Sequence, residues 1–262
     1  MRNLEDILAD VRDRIAAAAA RAGRSGDSVG IVAVTKTHGP ETVEEAWRAG
    51  LCTVGENKVQ EAAWKKPQCP SGPEWHLIGH LQSNKVRHAL ALFDCIHSVD
   101  SEKLADRINA VAEETGARPR ILLEVNVSGE KSKSGMKPEE APAAVAHILS
   151  ECPRLTLEGF MTMAPFSENP EDARPYFRKL RLLRDSLEKE TGASLPVLSM
   201  GMSGDFEVAV EEGATWVRLG TVLFGERPKT KAVRAVADDG VEAASGGLDS
   251  YSGAGPTFKV LD

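Results

Sequence analysis

Short apolar runs alternate with amphipathic, charged segments along almost the whole chain. The run from Val29 to Thr35 is continuous and rich in β-branched residues, as a strand buried on both faces of a parallel sheet should be. Before it, Leu4, Ile7, Leu8, Val11 and Ile15 recur at helical spacing. A helix is therefore predicted from an Asn3 cap, with Asp6 as its partner, to about Arg21, ended by Gly23 and Gly26. Further strands are predicted at Cys52–Gly55, Trp75–Gly79, Cys95–Val99, Arg120–Val127, Leu155–Met163, Val197–Gly201 and Thr215–Leu219. Between them helices are predicted at Glu41–Ala49, Lys58–Lys66, Ser83–Phe93, from an Asp100 or Ser101 cap to Gly116, then Pro138–Ser150, Ala173–Thr191 and Phe206–Glu212. A short helical turn is expected at Thr221–Phe224, before Gly225.

Eight strands separated by helices indicate an α/β fold, a single (β/α)8 TIM barrel with an extra N-terminal helix. A doubly wound open sheet is the runner-up; the even count and the apolar strands favour closure. The barrel and its leading helix occupy residues 1–228, which leaves no room for a second domain. The remainder, 229–262, is rich in Gly, Ser, Ala and Asp and reads as a disordered tail.

Composition narrows the function classes. Hydrophobic residues make up 42% of the 262, enough for a sizeable core, and the formal net charge of −7 argues against nucleic-acid binding. No apolar run is long enough to span a membrane, and the charged start, Met1 to Asp6, lacks the apolar core of a signal peptide. The four cysteines, Cys52, Cys69, Cys95 and Cys152, are widely spaced. Buried free thiols in a reducing cytoplasm are the better reading, and a zinc site has little support.

In such barrels function gathers where strands end. The first strand ends on Lys36, followed by Thr37-His38-Gly39-Pro40. A lysine leaving a buried strand tends to lose its proton, and a neutral amine is the form that attacks an aldehyde to give a Schiff base. On this stretch alone a surface lysine is the better reading; the other strand ends reverse that. They carry His38, Asn57, His80 and Asn126, then Met200 to Asp205 after the seventh strand and Arg218 to Thr221 at the eighth. Ser203 and Gly204 would open the helix after the seventh strand, and Gly220 and Thr221 the turn after the eighth. Both are places where barrels bind phosphate, with glycine admitting backbone N–H groups and the hydroxyls adding donors. Arg218 lies between Val217 and Leu219, so it points either into the barrel top or into the helix layer, and buried it needs an acceptor. An imine-forming lysine, a phosphate cradle and an inward arginine together suggest pyridoxal 5′-phosphate.

The motifs that carry these residues run in a fixed order: Ala33-Val34-Thr35-Lys36, Gly55-Glu56-Asn57-Lys58-Val59-Gln60-Glu61, Trp75-His76-Leu77-Ile78-Gly79-His80-Leu81-Gln82-Ser83-Asn84-Lys85, Ser132-Lys133-Ser134-Gly135, Gly159-Phe160-Met161-Thr162-Met163, Leu198-Ser199-Met200-Gly201-Met202-Ser203 and Val217-Arg218-Leu219-Gly220-Thr221. Over residues 1–227 the chain resembles the YggS/PROSC family of pyridoxal-phosphate-binding homeostasis proteins. The resemblance implies a barrel similar to the alanine racemase N-terminal domain, with Lys36 as the Schiff-base lysine. It implies Arg218 on the pyridine nitrogen, Asn57 beside the cofactor, and Ser203, Gly220 and Thr221 on the phosphate. It implies nothing for 229–262.

An arginine facing the pyridine nitrogen keeps that nitrogen unprotonated and the ring a weak electron sink. A racemase compensates with a tyrosine base from a second domain; here the only tyrosines are Tyr176, in a helix, and Tyr251, in the tail. The leading expectation is a cytoplasmic, monomeric carrier or buffer of pyridoxal phosphate acting in vitamin B6 homeostasis, with pyridoxal-phosphate-dependent apo-enzymes as partners and without robust catalysis. A weak amino-acid racemase is the alternative. A Schiff-base aldolase would want a carboxylate beside the lysine, which no strand end clearly offers. His76 reads as a satisfied core residue, His80 as nearer the pocket, Lys131 and Lys133 as members of a solvated loop, and the methionines at 161, 163, 200 and 202 as packing at the barrel mouth.

Overall fold

The computed structural model of the protein describes residues 3–130 and 133–226. The expected tail and Lys131 lie outside the described residues. Eight parallel strands close in sequence order, β1 Gly30–Val34, β2 Thr53–Glu56, β3 Glu74–Leu77, β4 Cys95–Val99, β5 Arg120–Glu124, β6 Thr156–Met161, β7 Val197–Ser199 and β8 Trp216–Leu219. Closure runs through β1 and β8, with Val32 opposite Arg218 and Ala33 opposite Leu219. The barrel expectation therefore holds, and the open sheet is excluded.

Helices α1 Leu4–Arg21, α2 Pro40–Arg48, α3 Val59–Lys65, α4 Val86–Leu92, α5 Glu102–Thr115, α6 Ala141–Glu151, α7 Arg174–Thr191, α8 Phe206–Glu211 and the short α9 Thr221–Phe224 surround it. The Asn3 side chain accepts from the Asp6 N–H at 2.8 Å and starts α1, as the sequence predicts. Ser101, rather than Asp100, caps α5 by accepting from Leu104 N, and Gly116 closes that helix in the left-handed region. The apolar faces of these helices and the outward residues of the strands form the main core.

Five strands end one to three residues earlier than predicted, at Val34, Leu77, Glu124, Met161 and Ser199. Past Glu124 the chain leaves the barrel, because Asn126 N donates to Met136 O and Met136 N to Glu124 O. Gly135, at φ +105°, lets these segments meet: a Cβ there would stand 2.8 Å from Asn126 N. β6 likewise stops at Met161, with the Thr162 hydroxyl turned to Val125 O at 2.7 Å. The thiol expectation is half right: Cys95 and Cys152 are buried, Cys52 is exposed, and all four are free.

Candidate functional site

Lys36 lies in the turn two residues past the end of β1. Val32 faces inward: it pairs with Arg218, and a Cβ on Gly55 of β2 would stand 2.7 Å from its side chain. Val34 shares its parity, and Lys36 follows, half-buried, at the C-terminal mouth. The next residue, Thr37, is the only non-glycine among the described residues with positive φ, at 66°. A β-branched residue in that region is strained and persists only where its surroundings hold it.

What holds it is a buried cluster that hydrophobic patterning did not reveal. Lys65, on the inner face of α3, is wholly buried, with Nζ 2.6 Å from Glu56 Oε1, 3.0 Å from Glu61 Oε1 and 2.9 Å from the Thr35 carbonyl. Glu61 Oε1 also accepts from Thr37 N at 2.5 Å, and Glu56 Oε1 accepts from the Thr35 hydroxyl at 2.6 Å. The backbone on both sides of Lys36 is thus tied to one group of charges. Burial pushes Glu56 up to about 7, with the Lys65 ammonium opposing and Glu61 reinforcing. The sequence signal was Glu61 and Lys65, four residues apart on a helix whose partner strand ends in Glu56.

Arg218 points into the barrel, not into the helix layer. Its Nη1 donates to Ser199 O at 2.7 Å and Ser199 Oγ at 2.9 Å, and Nη2 donates to Thr162 O at 2.9 Å. These three bonds engage Nη1 and Nη2 of its five-hydrogen guanidinium. Burial lowers its pKa to about 10, opposed by the charges of Asp205 and Glu124, so it remains a cation at neutral pH. Glu124 ends β5 and is buried; desolvation and the Asp100 charge raise it to about 7 against the pull of Arg218. It is the strand-end carboxylate that the sequence reading did not single out.

The loops after β7 and β8 meet through a hydrogen bond from Val222 N to Ser203 Oγ, 3.2 Å long. Ser203 therefore bridges the two loops; it does not open α8, whose cap is Asp205. Gly201 has φ +92°, and a Cβ there would stand 2.5 Å from that of Ala209. Gly220 lies over Val34, 3.3 Å from its carbonyl in the same sense, so Gly220 and Thr221 adjoin the end of the strand that leads to Lys36. Asn57, half-buried after β2, is crossed by Gly79, where a Cβ would stand 2.3 Å from Asn57 O.

Other expectations move. His80 is exposed and pairs with Asp100 at 3.3 Å. Asn126 is spent on its own loop, donating to Glu130 O and accepting from Gly129 N. Lys133 is not a solvated loop residue: its ammonium reaches Met163 O at 3.4 Å and Glu130 at 3.2 Å. His76 is buried and hydrogen-bonded, as expected. Among the described residues, two clusters have metal-ligating atoms within 4.8 Å of one another, His76–Cys95–His97 and Asp106–His147–Cys152. In the first the two rings already bond each other at 2.9 Å and burial keeps the Cys95 thiol protonated; in the second His147 bonds Asp106 at 2.7 Å.

Comparison with known proteins then decides the family. The alanine racemase N-terminal domain family matches residues 8–228. The pyridoxal phosphate homeostasis protein of Aquifex aeolicus is 48% identical over 84% of this chain and 96% of its own length. The chain belongs to the family of pyridoxal phosphate homeostasis proteins. Among solved structures it is similar to PipY of Synechococcus elongatus with pyridoxal phosphate bound, at 36% identity and a TM-score of 0.74 over 85% of this chain and all of that one. Alanine racemase of Clostridium difficile shares the fold, at 16% identity and a TM-score of 0.69; this chain spans 57% of that enzyme. No helix among the described residues is long and apolar enough to cross a membrane.

Proposed function

We propose that this protein holds pyridoxal 5′-phosphate covalently and reversibly on Lys36 and serves as a carrier or buffer of that cofactor in the cytoplasm. The carrying observation is the pairing of β1 with β8, which brings the strand of Lys36 beside inward-pointing Arg218. The site has groups for the ligand. Thr37 Oγ1, next to Lys36, is buried without a hydrogen-bond partner among the described residues. Gly220 lets its backbone approach Val34 closely: a Cβ there would stand 3.3 Å from the Val34 carbonyl.

In this reading Ser203, Gly220 and Thr221 hold the phosphate, the Val222 N–H orients the Ser203 hydroxyl, and Asn57 lines the site. Arg218 directs a remaining N–H at the pyridine nitrogen. When bound, the cofactor supplies an electrophilic aldehyde and an electron-accepting ring. A donor-only guanidinium leaves that nitrogen unprotonated and the ring a poor electron sink, which favours storage over turnover. Tyr176, the single tyrosine among the described residues, packs against the core from α7 and offers no base at the mouth. The protein acts as a monomer, and apo-enzymes that need the cofactor receive it.

Titration of the purified protein with pyridoxal phosphate tests the reading. A visible absorption band should appear in proportion to protein and be absent in Lys36→Ala. An equal band in that variant would overturn it.

A further inference from the structure

Barrels of this class ordinarily fill their interior with layers of branched aliphatic side chains. Here one interior column is polar from end to end. Arg218 Nη1 lies 2.9 Å from Ser199 Oγ, which lies 2.9 Å from His97 Nδ1. His97 Nε2 lies 2.9 Å from His76 Nδ1, and His76 Nε2 lies 3.3 Å from Glu74 Oε2. Ser199 and His97 are wholly buried, His76 and Arg218 almost so. The column spans strands β8, β7, β4 and β3, from the ligand end to the opposite rim. There Glu74 also accepts from Arg120 at 2.5 Å, and Arg120 lies 3.8 Å from Glu158.

With one hydrogen on each ring, the two ends fix the direction of every bond between them. An ionised carboxylate only accepts and a guanidinium only donates. Glu74 is held below the usual carboxylate range chiefly by its hydrogen bond to His76, with Arg120 assisting. The His76 hydrogen therefore sits on Nε2, and its Nδ1 accepts from His97 Nε2–H. Burial holds His97 neutral, well below the usual imidazole range, so its Nδ1 accepts from the Ser199 hydroxyl. The Ser199 oxygen in turn accepts from Arg218. All four bonds point from the guanidinium to the carboxylate, an arrangement in which each bond polarises the next.

We propose that Ser199, His97 and His76 are positioning residues for Arg218: they form a single-file hydrogen-bond chain, anchored on Glu74, that fixes the guanidinium beneath the ligand site. The chain exists without ligand; its consequence for the cofactor rests on the proposed function.

Long-range proton–nitrogen spectra of the 15N-labelled full chain, without cofactor, read the chain directly. His76 and His97 should both carry hydrogen on Nε2 and none on Nδ1. Hydrogen on Nδ1 of either ring overturns the proposal. With pyridoxal phosphate added, His97→Leu and Ser199→Ala should shift the visible band and weaken binding about tenfold, as loss of a buried hydrogen-bond partner implies. His97→Gln, which keeps one acceptor and one donor, should restore the band. Equal bands in His97→Leu, His97→Gln and wild type overturn the positioning role, and Ser199→Ala decides if His97→Leu does not fold. A wild type that fails to take up the cofactor contradicts the proposed function alone and leaves the nitrogen assignments standing.

Discussion

Lys65 sets its ammonium 2.9 Å from the carbonyl oxygen of Thr35, the residue immediately before Lys36. Through Glu61 the same cluster holds Thr37 N, the residue immediately after. A lysine that must meet an aldehyde in one orientation gains from such a fixed backbone, because less freedom is left to lose on reaction. The strain at Thr37 is maintained by that cluster.

Removing Lys65 leaves two buried carboxylates facing one another without a counter-charge. Lys65→Met should therefore destabilise the fold by about 3–5 kcal/mol, the range for breaking a buried ion pair. Urea denaturation measures it. Adding Glu56→Gln and Glu61→Gln to that variant should recover part of the loss; no recovery would mean that the charges do not set the cost.

Gly79 gives a steric test of the Asn57 assignment. A methyl group there would stand 2.3 Å from the Asn57 carbonyl, so Gly79→Ala must push the loop after β2. Pyridoxal phosphate affinity should fall about tenfold or more, since misplacing a positioning group by about 1 Å is expensive. An absorbance titration reads this, and unchanged affinity would place Asn57 outside the site.

Glu124 predicts a pH dependence with a definite sign. Its pKa is raised to about 7 in the fold, chiefly by burial, so between the ordinary carboxylate range and 7 the folded state binds more protons than the unfolded. Its contribution favours the fold at low pH and is lost as pH rises through that window. Glu124→Gln removes the ionised form and should stabilise the protein by about 1–3 kcal/mol at pH 8, with little gain at pH 4.5. Thermal melts at the two pH values check it; a larger gain at the lower pH reverses the sign and refutes the account.

Much of this was legible in sequence because the barrel repeats one unit: a buried apolar run, a polar strand end, an amphipathic helix. That period located all eight strands and placed Lys36, Asn57, Ser203, Arg218, Gly220 and Thr221 near strand ends. It could not decide which way Arg218 points, since one strand offers two faces and both are buried; the acceptors on Ser199 and Thr162 decide it. It also missed Lys65, His97 and Glu124, whose roles depend on partners from distant strands. A lysine four residues after a glutamate on a helix reads as a surface pair until the strand beneath contributes a second carboxylate. Lys133 and Asn126 were misplaced for a related reason: the loop after β5 folds back on the barrel, and no periodicity reports on a loop.

The central claim is that Lys36 carries the cofactor. Borohydride reduction of the protein loaded with pyridoxal phosphate, followed by peptide mass mapping, tests it most directly. The account predicts one principal reduced adduct, on Lys36, with buried Lys65 unmodified and Lys133 at most a minor site. A principal adduct on Lys133, Lys85 or any other lysine would contradict it.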